Sequence, residues 1–112
     1  MKKAKIYMHD REAGVLTEDE NGFSFRYLDQ YLDSEGAEAI SLTLPLRREE
    51  YRDKVLFPFF DGLIPEGWLL DVALRNSDIS ILDRMSLLLL CCKECIGSVS
   101  VVPINKEGGD HV

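Results

Sequence analysis

The chain has 112 residues and a mass of 12.7 kDa, enough for one domain that buries roughly two-thirds of its unfolded surface but too little for an ATP-binding lobe joined to a substrate lobe. Hydrophobic residues make up 46% and charged residues 29%, which excludes wholesale disorder and collagen-like structure. With 13 basic and 20 acidic residues the net charge is −7, so tight, sequence-independent binding to a phosphate backbone is not expected and nucleic acid is not a direct partner.

Residues 4–9, Ala-Lys-Ile-Tyr-Met-His, read as a strand, and after Glu12-Ala13-Gly14 a second apolar stretch opens at Val15 and Leu16. Glu18-Asp19-Glu20 followed by Asn21-Gly22 predicts a tight turn. Beyond it Phe23, Phe25 and Tyr27 alternate with Ser24 and Arg26, as a half-buried strand requires. The first thirty or so residues therefore predict an antiparallel meander. Asp33 to Glu38 reads as a polar loop, and Ile40 to Leu44 alternates again, predicting a further strand that Pro45 ends.

After Tyr51 the period changes. Val55 to Leu63 is almost continuously apolar, Pro65-Glu66-Gly67 interrupts it, and Trp68 to Arg75 follows, which predicts two short helices joined at the turn. Ser80 with Asp83 three residues later resembles a capping box, opening a helix from Ile81 to Cys92. That helix is apolar almost all round, so it is either a core helix or one that docks partly on another surface. Ser98 to Val102 predicts a closing strand that returns to the sheet and stops at Pro103. The polar residues 104–112 predict a disordered tail. The expected fold class is α+β, with a small antiparallel sheet from the meander and the 40–46 strand packed against a few helices, all in one domain over residues 1–103.

Catalytic chemistry is sparse. The sequence has no Gly-rich or GxxxxGK phosphate loop, no HRD-like catalytic loop and no DFG-like metal-binding triplet, so the chain by itself is not expected to be a kinase or any other enzyme. His9 and His111 have no Cys or Ser placed by sequence to act as nucleophile, and the acidic clusters lack the alternating spacing of a calcium loop. Cys92-x-x-Cys95 is half of a zinc site or the spacing of a redox pair. The second half is absent, so Cys91, Cys92 and Cys95 read as cytosolic thiols, with no metal and no cofactor expected. A thiol- or metal-dependent enzyme built on these three cysteines is the competing reading from another class. The N-terminal basic residues lead into no apolar stretch, and Met85 to Cys92 is far shorter than the roughly 20 residues of a membrane span. The expected location is cytoplasmic, with no membrane partner.

Three stretches carry a family resemblance: Ser41-Leu42-Thr43-Leu44-Pro45-Leu46, then Phe57-Pro58-Phe59-Phe60-Asp61-Gly62-Leu63-Ile64-Pro65-Glu66-Gly67, and Ile96-Gly97-Ser98-Val99. In these the sequence, from about Ile6 to Pro103, resembles the N-terminal subdomain of HipA-type serine/threonine kinases. Cys92, Glu94 and Ser98 depart from that family's G-x-D-x-x-G-A ending. In full-length HipA proteins the subdomain precedes the kinase domain that carries the catalytic residues. Without that domain, the chain looks like the HipS component of split HipBST toxin–antitoxin systems. The resemblance implies a non-catalytic, antitoxin-like protein that binds and neutralises a separate HipA/HipT-like kinase toxin, with a HipB-like DNA-binding protein as a further partner in a ternary complex. The alternatives are a subunit that completes the kinase by aiding its folding or activity, or the N-terminal piece of a HipA-type kinase.

The expected partner-binding residues are Pro65, Glu66, Gly67, Trp68, Asp71 and Arg75. On a helix starting near Glu66 the apolar face centres on Leu69, Leu70 and Ala73, and Trp68 projects about 140° away beside Asp71 and Arg75. An exposed tryptophan on a rigid turn suits an interface anchor. The opposite arrangement, with the turn tipping the ring back onto the Phe57 to Phe60 cluster, makes Trp68 a core residue.

Overall fold

A computed structural model describes residues 2–64, 83–91 and 98–104. Among them are strands β1 (Lys2–Met8), β2 (Arg11–Asp19), β3 (Gly22–Tyr27), β4 (Tyr51–Asp53) and β5 (Val99–Pro103), and helices α1 (Asp29–Leu32), α2 (Pro58–Asp61) and α3 (Arg84–Cys91). The strands form one sheet in the order β4-β3-β2-β1-β5, with every neighbouring pair antiparallel. The fold is α+β, and both the meander and the return of the last strand to the sheet follow the sequence expectation; that strand pairs with β1.

Alternation fixes which face of the sheet is buried. Ala4, Ile6 and Met8 of β1, Leu16 of β2, Phe23, Phe25 and Tyr27 of β3, and Val99 and Val101 of β5 all point into the core. They are cross-strand neighbours: Leu16 lies opposite both Ala4 and Phe25, and Ile6 lies opposite Val101. A slip of one residue in β3 would exchange Phe25 for Ser24 or Arg26, so burial enforces the register. Phe60 of α2 and Met85, Leu87 and Leu88 of α3 join the same core. The described part of α3 is thus a core helix.

A β-bulge adjusts the second strand. Ile6 pairs with Gly14 but Tyr7 pairs with Glu12, which leaves Ala13 as the extra residue. Ala13 and Gly14 are consequently both buried, and the Ala13 carbonyl accepts the Leu28 N–H at 2.8 Å, fixing the exit from β3 into α1. Gly14 is required by close approach: a Cβ there would stand 2.5 Å from the Arg26 carbonyl oxygen and 2.8 Å from the Phe25 ring. Gly22, at φ +133°, has the same role beside β4, where a Cβ would meet the Asp53 carbonyl oxygen at 2.4 Å.

The structure corrects the sequence reading at four places. Residues 40–46 are not a strand of the sheet. Ser41 and Leu44 form an isolated bridge, and the edge beside β3 is taken by Tyr51–Asp53. Alternation misled because a tight turn also sends Ile40 and Leu44 inward and Leu42 outward. Asn-Gly does not centre the hairpin turn: its two residues are Glu20-Asn21, with Gly22 already in β3, and the Asp19 carboxylate accepts the Asn21 N–H at 2.8 Å. The apolar run from Val55 contributes a helix only over Pro58–Asp61, since Pro58 suits a first helical turn, and Val55 is 63% exposed. Asp83 is not the third residue of a capping box but the cap itself. Its carboxylate accepts the Ser86 N–H at 3.2 Å and the Ser86 hydroxyl at 2.8 Å, so helix α3 opens at Arg84.

Replacing Gly14 with Ala forces a methyl into the Phe25 ring and the Arg26 carbonyl, and it is expected to cost about 1–3 kcal/mol. A lower urea midpoint at an unchanged slope is the corresponding result.

Candidate functional site

Pro65, Glu66, Gly67, Trp68, Asp71 and Arg75 lie outside the described residues, as do Cys92 and Cys95. The described flanks of the 65–82 segment are firmly held. On one side Ile64 is buried and its N–H donates to the Asp61 carbonyl at 3.2 Å. On the other side Arg84 donates from Nε to the Asp61 carboxylate at 2.6 Å, joining the start of α3 to the end of α2. Among the described residues no group of three or more His, Cys, Asp and Glu side chains could hold a metal ion, and no helix is long and apolar enough to cross a membrane.

The sequence reading missed a second candidate, the loop between α1 and β4. Its geometry starts from Tyr27, whose position on the inward face of β3 buries the whole side chain. A phenol placed there needs hydrogen-bond partners. The Tyr27 hydroxyl donates to the Leu44 carbonyl at 2.5 Å and accepts the Ile40 N–H at 3.0 Å, closing the turn that runs from Ile40 to Leu44. Leu44 N–H donates to the Ser41 carbonyl at 3.1 Å, and the Ser41 and Thr43 hydroxyls meet at 2.9 Å. Burial raises the Tyr27 pKa to about 12, with the Ile40 bond opposing the shift.

Further anchors hold the rest of the loop. Tyr31, stacked on Tyr27 with ring centroids 6.2 Å apart, donates its hydroxyl to the Glu38 carbonyl and accepts the Glu38 N–H. Tyr51 donates to the Pro45 carbonyl at 2.5 Å. Arg47 lies over the Tyr51 ring, 3.7 Å from its centroid, and donates to the carbonyls of Glu49 and Glu50. Arg48 reaches back to α1 and forks onto Asp29 at 3.0 Å and Asp33 at 2.5 Å, bonds that push its own pKa further up. The result is a loop of fixed shape with Leu42 at its tip, 99% exposed.

The sequence profile of the HipA N-terminal domain matches residues 4–102. The chain therefore belongs to the HipA N-terminal domain family. A solved structure of the N-terminal domain of HipA toxin superposes with a TM-score of 0.76 at 27% identity, covering 96% of each chain. An uncharacterised protein of Haemophilus influenzae is 30% identical over 101 residues, which are 90% of this chain and 92% of that one. A provisionally named kinase of Sinorhizobium fredii is 29% identical over 110 residues, 91% of this chain but 24% of that protein. The family ties the chain to HipA toxin-related proteins.

Tyr27→Phe strands the Leu44 carbonyl and the Ile40 N–H and is expected to cost about 1–3 kcal/mol. Its pH signature separates it from a simple packing defect. A folded pKa raised above the ordinary value of 10.0 means that the unfolded chain loses this proton first, so stability present below pH 10 falls as the pH climbs to about 12. Denaturation midpoints of the wild type should therefore decline over that interval more steeply than those of Tyr27→Phe.

Proposed function

We propose that this chain is a non-catalytic binding module that docks on a separate HipA/HipT-like serine/threonine kinase and neutralises it. The observation that carries the reading is the contrast between its relatives. The same stretch takes up 92% of the Haemophilus influenzae protein yet 24% of the Sinorhizobium fredii kinase. A domain that makes up nearly all of one relative and is a minor part of a longer kinase in another is suited to recognising a kinase chain. The absence of phosphate-loop, HRD-like and DFG-like motifs from the sequence supports a role without chemistry of its own.

The fused relative equally supports a second reading, a subunit that completes the kinase. Co-expression with a kinase of this family from the same genome separates the two: restored growth supports neutralisation, and greater toxicity supports completion. A HipB-like DNA-binding protein is proposed as a third component, because a net charge of −7 suits a chain that reaches DNA only through a basic partner. The cytoplasm is the proposed setting for the complex.

The inhibitory element we propose is the Pro65-Glu66-Gly67 turn with Trp68, flanked by Asp71 and Arg75. Trp68→Ala is expected to fold with an unchanged circular dichroism spectrum yet fail to restore growth, since losing an aromatic anchor typically costs 2 kcal/mol or more of binding. A variant that unfolds makes Trp68 a core residue. One that folds and still protects removes this turn from the inhibitory surface.

A further inference from the structure

Residues 41–46, Ser-Leu-Thr-Leu-Pro-Leu, contain no charge, in a chain that is 29% charged. Four of the six, Leu42, Thr43, Pro45 and Leu46, are exposed. A single exposed leucine needs no explanation, but this strip differs in two respects. Its exposed residues fall in two pairs on either side of the buried Leu44 within one six-residue run, and two tyrosine hydroxyls fix its backbone at Ile40, Leu44 and Pro45 before any partner arrives. An apolar strip already held in one shape loses little conformational entropy on binding, which is the property that makes such groups effective anchors.

The strip ends at Arg47, whose guanidinium is held on the Tyr51 ring and on two backbone carbonyls, with no carboxylate partner among the described residues. Its neighbour Arg48, by contrast, is neutralised by Asp29 and Asp33. A fixed, uncompensated cation at the end of an apolar strip is complementary to an apolar socket with a carboxylate at its rim. A second copy of this chain is a poor fit, because each copy brings a net charge of −7.

We infer that the Leu42–Leu46 strip, with Arg47 at its end, is a docking surface for the kinase chain, seating Leu42 in an apolar socket rimmed by a carboxylate. This rests on the reading of the protein as a kinase-binding module. It adds to that reading a surface separate in sequence from the 65–75 segment.

The test measures binding of the full chain to a HipA-family kinase from the same genome, purified separately, by calorimetry. Leu42 is so exposed that Leu42→Asp should leave the thermal midpoint unchanged while weakening binding by at least ~10-fold. Arg47→Gln should weaken it by only ~2–5-fold, but it should flatten the dependence of affinity on salt. Leu42→Asp that binds within twofold of a tightly binding wild type overturns this surface and leaves the binding-module reading standing. A wild type that does not bind the kinase overturns that reading and this inference with it. Self-association of the wild type that Leu42→Asp abolishes, seen by sedimentation, also overturns the inference by assigning the strip to a second copy.

Discussion

The Tyr27 hydroxyl is the joint between the sheet and the loop that follows it. Its ring is required by the core, where it meets the edge of Phe25 at 4.9 Å and stacks on Tyr31, and its oxygen is required by the loop, where it satisfies one N–H and one carbonyl. Neither need can be met alone. A buried phenol without partners is costly, and so is a buried turn whose backbone groups have none. Residues 13 and 17 positions apart in sequence are thereby fixed together, and the order of the sheet passes into a segment with no strand or helix of its own.

The same logic spreads outward from Phe25. Its ring crosses Gly14 at a distance no side chain could tolerate there, and it contacts Phe60 and Tyr51 with ring centroids 5.6 and 6.5 Å away. Tyr51 in turn supports Arg47 and holds Pro45. The exposed loop is therefore not an appendage. Its outer residues are two contacts from the centre of the core, so its shape is as stable as the packing beneath it.

What the sequence disclosed, and what it withheld, follows from how far each signal reaches. The meander was legible because Phe23, Phe25 and Tyr27 alternate over a full strand and burial punishes any other register. The closing strand was legible for the same reason. Residues 40–44 carry the same alternation within a turn, and periodicity over five residues cannot tell the two apart. Tyr51–Asp53 escaped notice because three residues, two of them charged, hold no period at all. The pinned loop was hidden for a further reason. Its determinants are tyrosines assigned to strands, and the second use of a phenol, through its oxygen, leaves no mark in hydrophobic patterning. Part of the signal is nonetheless present: the uncharged run from Ser41 to Leu46 is one of the stretches that carry the family resemblance.

Pro103 belongs to β5, opposite Ala4. The His9 N–H bonds the Ser98 carbonyl and the Ile104 N–H bonds the Lys3 carbonyl, so alternation along an antiparallel ladder turns the backbone of Pro103 away from β1. A proline is tolerated there because the donor it lacks would never have served the sheet. The same missing donor breaks the outward row of hydrogen-bonding groups along β5. At the opposite border β4 offers only three residues, with Arg52 and Asp53 among them. A sheet bounded in this way resists being extended by chance strands from other molecules. For a protein whose proposed work is done by loops, that keeps recognition a matter of side chains and denies the backbone a template for uncontrolled polymerisation.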